Sequence, residues 1–326
     1  MRARVTGTGS YLPERIMTNH DLEKLVDTNH EWIVARTGIE ERRIVADNEF
    51  TSDMAVKAAE QAMAMAGISA GQIDLIVMGT ITGDYPWPAT ACIVQARLGA
   101  SNAFAYDLSA ACSGFLYALS SANDFIRSGH GKTALVIGAE TLSRAIDWTD
   151  RNTCVLFGDG AGAVVLQADE GEQGILSCHL HSDGNYLELL YQPGFGARHP
   201  ASVEGLAAKL PFLKMQGNEV FKVAVRSLTE VSLEALSANG YTSSDVDLFV
   251  PHQANRRILE ATAKRLHLTE QQTFINVHKY GNTSGATIPV ALDEANRQGL
   301  LKSGDLVLSA AFGGGFTWAS ALLRWG

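Results

Sequence analysis

In YDLSAACSGFLYAL (106–119) a polar pair gives way to an apolar run, and Cys112 sits among small residues at the change. A thiol so placed is either a small core hydrophobe or a nucleophile. The strand-like AFAYDLS precedes it, and the helical pattern CSGFLYALSSANDFIRSG follows it and ends near Gly129. The start of a helix carries the positive end of the macrodipole, which favours thiolate over thiol, so the position suits a nucleophile. Two further groups have the chemistry to accompany it. His252 in VPHQANRR falls just past the apolar DLFV, and Asn282 in NVHKYGNTSGATIP occupies a glycine-flanked turn before a helical stretch. A histidine after a strand is commonly a satisfied loop residue, and Asn-Thr-Ser is commonly a capping turn. What brings the three together is the organisation of the chain.

AGISAGQIDLIVMGT (66–80) is echoed by NGYTSSDVDLFVPHQ (239–253), each with a glycine closing a helical pattern and an aspartate seven positions later at the start of an apolar strand. Gly67 and Gly240 differ by 173 positions, and Leu135 in ALVIGAE and Leu306 in DLVLSAA differ by 171. A near-constant offset implies two related halves, 1–172 and 173–326, the first carrying the cysteine and the second the histidine and asparagine. By the same count Gly285 pairs with Gly114, so Asn282 belongs to the loop matching that of Cys112. Strands that are continuous apolar runs are buried on both faces. The expected fold is therefore α/β, duplicated and layered αβαβα, with loops from both halves meeting at one site.

Composition narrows the alternatives. At 326 residues and 46% hydrophobic the chain can bury a large core, and no window reaches the ~20 apolar residues of a membrane span. The opening MRARVTGTGSYLPE reads as strand and turn without a signal core, which points to the cytoplasm. Cys92, Cys112, Cys154 and Cys178 are widely spaced, so neither a disulfide framework nor a metal site is expected. A net charge of −9 disfavours nucleic acid as a partner, and an acidic partner would have to meet a local basic patch. TGTGSYL lacks the third glycine of a dinucleotide fingerprint, and GDGAGAVVL leads into a strand, so no phosphate loop is expected. The triple glycine of AFGGGFTWAS differs, since it allows backbone amides to approach a ligand.

AACSGFLYAL, VPHQANRRI, KYGNTSGATIP and AFGGGFTWAS together resemble the signatures of the β-ketoacyl-acyl-carrier-protein synthase III family of the thiolase superfamily, and the likeness covers nearly the whole chain. The Cys-His-Asn set separates this branch from elongating ketosynthases, with Cys-His-His, and from thiolases, with a second cysteine. Trp87 stands where the family often has Phe, Ala319 replaces a usual glycine, Gly285 a usual alanine, and the stretch 193–213 is longer than is typical. These departures bear on the choice of primer.

The resemblance implies a decarboxylating Claisen condensation that initiates fatty acid synthesis, with an acyl-CoA primer, malonyl-acyl-carrier protein as second substrate, no cofactor and a homodimeric assembly. Cys112, His252 and Asn282 are then catalytic, and the amides of Cys112 and Gly314 form the oxyanion hole. Adenine would lie between Trp32 and Arg151, with Thr28 and Arg36 near the phosphates and Phe221, Ala254 and Asn255 along the pantetheine channel. Trp87 and Phe312 border the acyl pocket, Trp87 across a dimer interface. Lys222, Arg256 and Arg257 dock the carrier protein. The competing readings are a related enzyme of specialised metabolism with a non-acetyl primer and a Cys-His thioester hydrolase.

Overall fold

The computed structural model describes all residues 1–326. Its first half begins with β1 (Arg2–Tyr11) and then a flap, in which the ribbon of β2 (Arg15–Thr18) and β3 (Glu41–Ile44) encloses α1 (Asn19–Leu22) and α2 (His30–Thr37). After it come α3 (Thr51–Ala66), β4 (Leu75–Gly79), α4 (Thr90–Leu98), β5 (Phe104–Leu108), α5 (Gly114–Arg127), β6 (Thr133–Thr141) and β7 (Asp159–Asp169). The second half holds β8 (Gly174–Ser182), the short ribbon of β9 (Leu190–Tyr191) and β10 (Lys214–Met215), α6 (Val203–Ala207), α7 (Gly217–Ala238), β11 (Leu248–Phe249), α8 (Arg256–Arg265), α9 (Val277–Tyr280), α10 (Thr287–Arg297), β12 (Leu306–Gly313) and β13 (Thr317–Arg324).

Two mixed sheets, β1-β7-β6-β4-β5 and β8-β13-β12-β11, stack with helices between and outside them. Alternation along the strands assigns the layers, because successive side chains point to opposite faces. Leu75 and Val77 of β4 meet α5 and α10 in the central layer, while Ile76 and Met78 meet α3 and α4 outside. On β12, Val307 and Ala311 face the centre, and Leu308, Ala310 and Phe312 face α7 and α8. The expected αβαβα layering and the duplication are both present. No helix is long and apolar enough to cross a membrane.

The repeat is a register of 173. Leu75 pairs with Ala134 and Leu248 with Val307, so both partners are displaced by the same 173 positions. Asp74 Oδ2 accepts from the backbone N–H of Lys132 and Thr133, and Asp247 Oδ2 accepts from that of Leu306, the equivalent of Thr133. Each aspartate thus ties the start of its own strand to its neighbour. Gly67 and Gly240 hold φ of 67° and 72°, left-handed values that only glycine adopts at little cost where a helix ends. β1 and β8 even share a bulge, at Thr6 and Leu176. The fifth strand of the second sheet shrinks to a single bridge between Phe249 and Thr273.

One expectation is corrected. Ala111 and Ser284 open matching 3-10 turns with φ of 47° and 49°, so the counterpart of Gly285 is Cys112, and Gly114 pairs with Thr287. The sequence pairing at 171 was two residues out of register.

Candidate active site

Cys112 lies in the turn Ala111–Ser113, between the end of β5 and the first residue of α5. The turn is pinned from the second sheet: Ser113 Oγ donates to the Thr317 carbonyl at 3.0 Å, and Thr317 Oγ1 donates to the Ala110 carbonyl at 2.9 Å. A left-handed alanine costs about 1 kcal/mol and persists only where the surroundings over-determine it. The sequence placed the thiol in a thiolate-favouring helix terminus; here burial dominates, with Glu140 adding to it, and the thiol is pushed up to about 12. Desolvation penalises the charged form more than the helix end rewards it.

His252 continues the parallel pairing of β11 with β12, its N–H donating to the Ala310 carbonyl at 2.8 Å. Its ring is buried, which pulls it down to about 3 and keeps it neutral, and Nδ1 lies 2.6 Å from Thr287 Oγ1. Asn282 is held by backbone bonds to Leu156 and Gly158. Its Oδ1 accepts from the Ser284 N–H at 2.8 Å, which orients the amide and leaves Nδ2 as the free donor. These three residues, with Phe312 and Gly314, line one cavity of about 1610 Å³. Phe312 packs on Phe316, ring centroids 4.7 Å apart. A side chain at Gly313 would come within 2.6 Å of the Cys112 backbone nitrogen, so the glycine run lets the end of β12 press against the thiol's own turn.

The flap closes the outer end. Asn29 Oδ1 accepts from the Trp32 N–H and starts α2, and Gly38 ends it at a φ of 71°. The Trp32 ring has the Arg36 guanidinium 4.9 Å and the Arg151 guanidinium 5.1 Å from its centroid. Trp32 and Arg36 line the cavity, whereas Arg151 and Thr28 lie outside its lining, and Thr28 Oγ1 is buried without a partner. Phe221, Ala254 and Asn255 also line it. The Asn255 side chain is already committed: Oδ1 accepts from the Arg257 N–H at 2.9 Å and Nδ2 donates to the Arg36 carbonyl at 3.1 Å.

Three expected site residues sit differently from the rest. Trp87 is 83% exposed and lies outside the lining of the cavity. Arg256 is ion-paired to Glu260 at 2.7 Å and also lies outside it, while Lys222 is at the rim but paired to Glu219 at 2.8 Å. Arg257, at the rim as well, has no carboxylate partner and rests 5.7 Å above the Phe221 ring.

The sequence reading missed Glu140, Ser284 and Thr287; the stretch 193–213, noted there only for its length, forms with 190–192 a wall of the cavity, where Phe195 donates its N–H to the His199 carbonyl at 2.8 Å. A signal existed for one of them: Glu140 is the only charged residue in the apolar ALVIGAET. No cluster of three or more His, Cys, Asp or Glu side chains is placed to hold a metal ion.

Comparison with known proteins identifies the family of the chain. The family described as 3-oxoacyl-[acyl-carrier-protein (ACP)] synthase III matches residues 106–184, and its C-terminal family matches 236–325. A β-ketoacyl-[acyl-carrier-protein] synthase III of Xanthomonas euvesicatoria pv. vesicatoria is 58% identical over 99% of this chain and 98% of its own length. Among solved structures, 3-oxoacyl-[acyl-carrier-protein] synthase III of Aquifex aeolicus VF5 superposes with a TM-score of 0.92 at 49% identity, covering 99% of this chain and all of that one. The priming β-ketosynthase of the R1128 polyketide pathway gives the same TM-score at 36% identity, covering 99% of this chain and 96% of that one. The chain belongs to the β-ketoacyl-[acyl-carrier-protein] synthase III family.

Proposed function

We propose that the chain condenses an acyl-CoA primer with malonyl-acyl-carrier protein, releasing CO₂ and giving 3-oxoacyl-acyl-carrier protein, the step that initiates fatty acid synthesis. The observation that carries this reading is one cavity with a thiol, a neutral imidazole and an oriented amide at its floor and an arginine-flanked indole at its mouth. Stacking plus positive charge is what a nucleotide requires, so the mouth suits CoA.

In the first stage the Cys112 sulfur attacks the thioester carbonyl and CoA leaves as its thiol. The oxyanion formed is held by the Cys112 and Gly314 amides, each such donor being worth about 3 kcal/mol. In the second stage the malonyl carboxylate leaves as CO₂, and its electron pair becomes an enolate that attacks the acyl-cysteine carbonyl. His252 and Asn282 stabilise that enolate. Asn282 Nδ2 is a donor whatever the pH, because Oδ1 is occupied by the Ser284 N–H. The 2.6 Å contact between His252 Nδ1 and Thr287 Oγ1 fixes the ring, and with its proton on Nε2 the neutral imidazole serves as the second donor. Phe312 keeps the carboxylate end apolar, which favours its loss.

The substrates are themselves activated thioesters, so the reading calls for no cofactor. It also includes a homodimer in the cytoplasm. Its support is the free edge of the first sheet, where β5 carries the half-exposed Phe104, and the exposed Tyr85 and Trp87 nearby in sequence, which would reach a partner's acyl pocket. A Cys-His hydrolase is disfavoured because His252, at about 3, is a weak base and is tied to Thr287. Incubation with a panel of acyl-CoAs and malonyl-carrier protein tests the proposal: CO₂ with a chain-extended product supports it, and free acid alone refutes it. The acyl-CoA used best separates primary metabolism from the specialised priming named in the R1128 relative.

A further inference from the structure

Glu140 lies one residue from the end of β6, hydrogen-bonded to Ser284 of the turn that lines the cavity with Cys112. It is wholly buried and has no cationic partner, and isolated buried carboxylates are rare because their desolvation is so costly. Its two oxygens differ. Oε2 takes the hydroxyls of Thr80 at 3.2 Å and of Thr82, and the Ile81 N–H at 3.2 Å. Neither threonine is free to turn away: Thr82 Oγ1 accepts from the Thr141 N–H and Thr80 Oγ1 from the Thr82 N–H, which commits their protons to the carboxylate. Oε1 has the Ser284 hydroxyl at 3.2 Å and only a long contact, 3.3 Å, from Ile81. Ser284, held in a left-handed backbone conformation, lines the same cavity as Cys112, and its turn packs against the cysteine's own turn.

We propose that Glu140 is the proton acceptor for the Cys112 thiol, acting through the Ser284 hydroxyl. As the sulfur attacks the thioester carbonyl and the new C–S bond forms, the thiol proton passes to Ser284 Oγ and the Ser284 proton passes to Glu140 Oε1. When the bond to the CoA sulfur breaks, the proton returns along the same path to the departing thiolate, leaving acyl-cysteine, CoA thiol and an ionised Glu140. Burial raises Glu140 to about 7, far closer to the task than His252 at about 3. An ionised Glu140 opposes a thiolate beside it, so moving the proton within the pair removes that repulsion. The groups hydrogen-bonded to Glu140 from β4's end and the Ser284 turn are Thr80, the Ile81 N–H, Thr82 and Ser284, none of them charged, and the charge of Glu140 bears on Cys112.

The inference rests on Cys112 as acyl acceptor, so the test follows single-turnover acylation of Cys112 by acetyl-CoA, by intact mass, from about pH 5 to about pH 9. In wild type the rate should rise with pH and level off near pH 7, where Glu140 is ionised. Glu140→Gln should acylate ~100-fold more slowly at neutral pH and keep rising without a plateau. Ser284→Ala should behave alike, and the double variant should lose no more. Thr80→Val removes a donor to the carboxylate but keeps the relay, and should move the break to higher pH. A plateau near neutrality that survives in Glu140→Gln, or in Ser284→Ala should the first not fold, overturns the proposal, as does a break that Thr80→Val leaves in place. Wild-type protein that never gains an acyl group on Cys112 instead overturns the underlying reading.

Discussion

Each of the three polar groups at the cavity floor has one state enforced by its neighbours: Cys112 protonated, His252 neutral, Asn282 with its amide turned to donate. That division predicts separable losses. Cys112→Ala should abolish acyl transfer from acyl-CoA, and an adduct on Cys92, Cys154 or Cys178 would contradict the assignment. His252→Ala and Asn282→Ala should still acylate but lose decarboxylation of the malonyl thioester by ~100-fold or more, each removing one donor to the enolate. Normal decarboxylation with lost acylation would exchange their roles. Glu140 makes a stability prediction of its own. Its folded value, about 7, lies above the ordinary 4.5, so the folded state holds a proton that the unfolded state releases between those values. Its contribution is therefore fully present below pH 4.5 and lost as pH rises through 7. Glu140→Gln should gain about 3 kcal/mol relative to wild type on going from acidic to mildly alkaline pH, read by denaturant unfolding at each. A pH-independent difference would show that Glu140 keeps its ordinary titration.

The elements show why some of this was legible in the sequence and some was not. β4, β6 and β12 are buried on both faces, and their unbroken apolar runs announced strands covered on both sides in a layered fold. The offset was misjudged by two because a slip of two preserves which side chains face which layer; only a slip of one exchanges the faces. Ala111 and Ser284, whose shared left-handed backbone fixes the register at 173, differ in type, so no pattern of letters pairs them. Cys112 and His252 were readable as residues at the ends of apolar strands, whereas Ser284 and Thr287 looked like ordinary capping residues and gain meaning only from what the first half brings to them. The thiol's ionisation was unreadable because burial, set by the second sheet, outweighs the local helix end. The Asp74–Asp247 correspondence was visible, and its reason is now physical. Asp74→Ala leaves the N–H groups of Lys132 and Thr133 without their acceptor and should cost about 2–3 kcal/mol, more than Asp247→Ala with its single bond to Leu306. Equal losses in equilibrium unfolding would mean that the two strand ends find other partners.

At the scale of the whole molecule, a chain of net charge −9 must concentrate its positive charge where an acidic carrier protein is to arrive. Helix α8 does this. Ile258, Leu259, Thr262 and Ala263 are buried, while Arg256, Arg257, Lys264 and Arg265 are exposed on the other face. The helix starts at Asn255, a short step beyond His252, so the basic face borders the opening through which a carrier-borne arm would reach Cys112. The structure also ranks the cations. Arg256 and Lys222 are neutralised by Glu260 and Glu219 on their own helices, and an exposed pair of this kind holds its charges together for about 0.5 kcal/mol. Arg257 is unpaired, and its guanidinium lies on Phe221 at the rim. Arg257→Glu should therefore raise the KM for malonyl-carrier protein about tenfold at low salt and flatten its salt dependence, because the lost interaction acts through a screened field. Arg256→Glu should have a smaller effect, since Glu260 already offsets that charge. Acylation by acyl-CoA at saturating concentration should change little in either variant. Equal KM values for wild type and Arg257→Glu at low salt, or acylation impaired as strongly as condensation, would remove α8 from the docking surface.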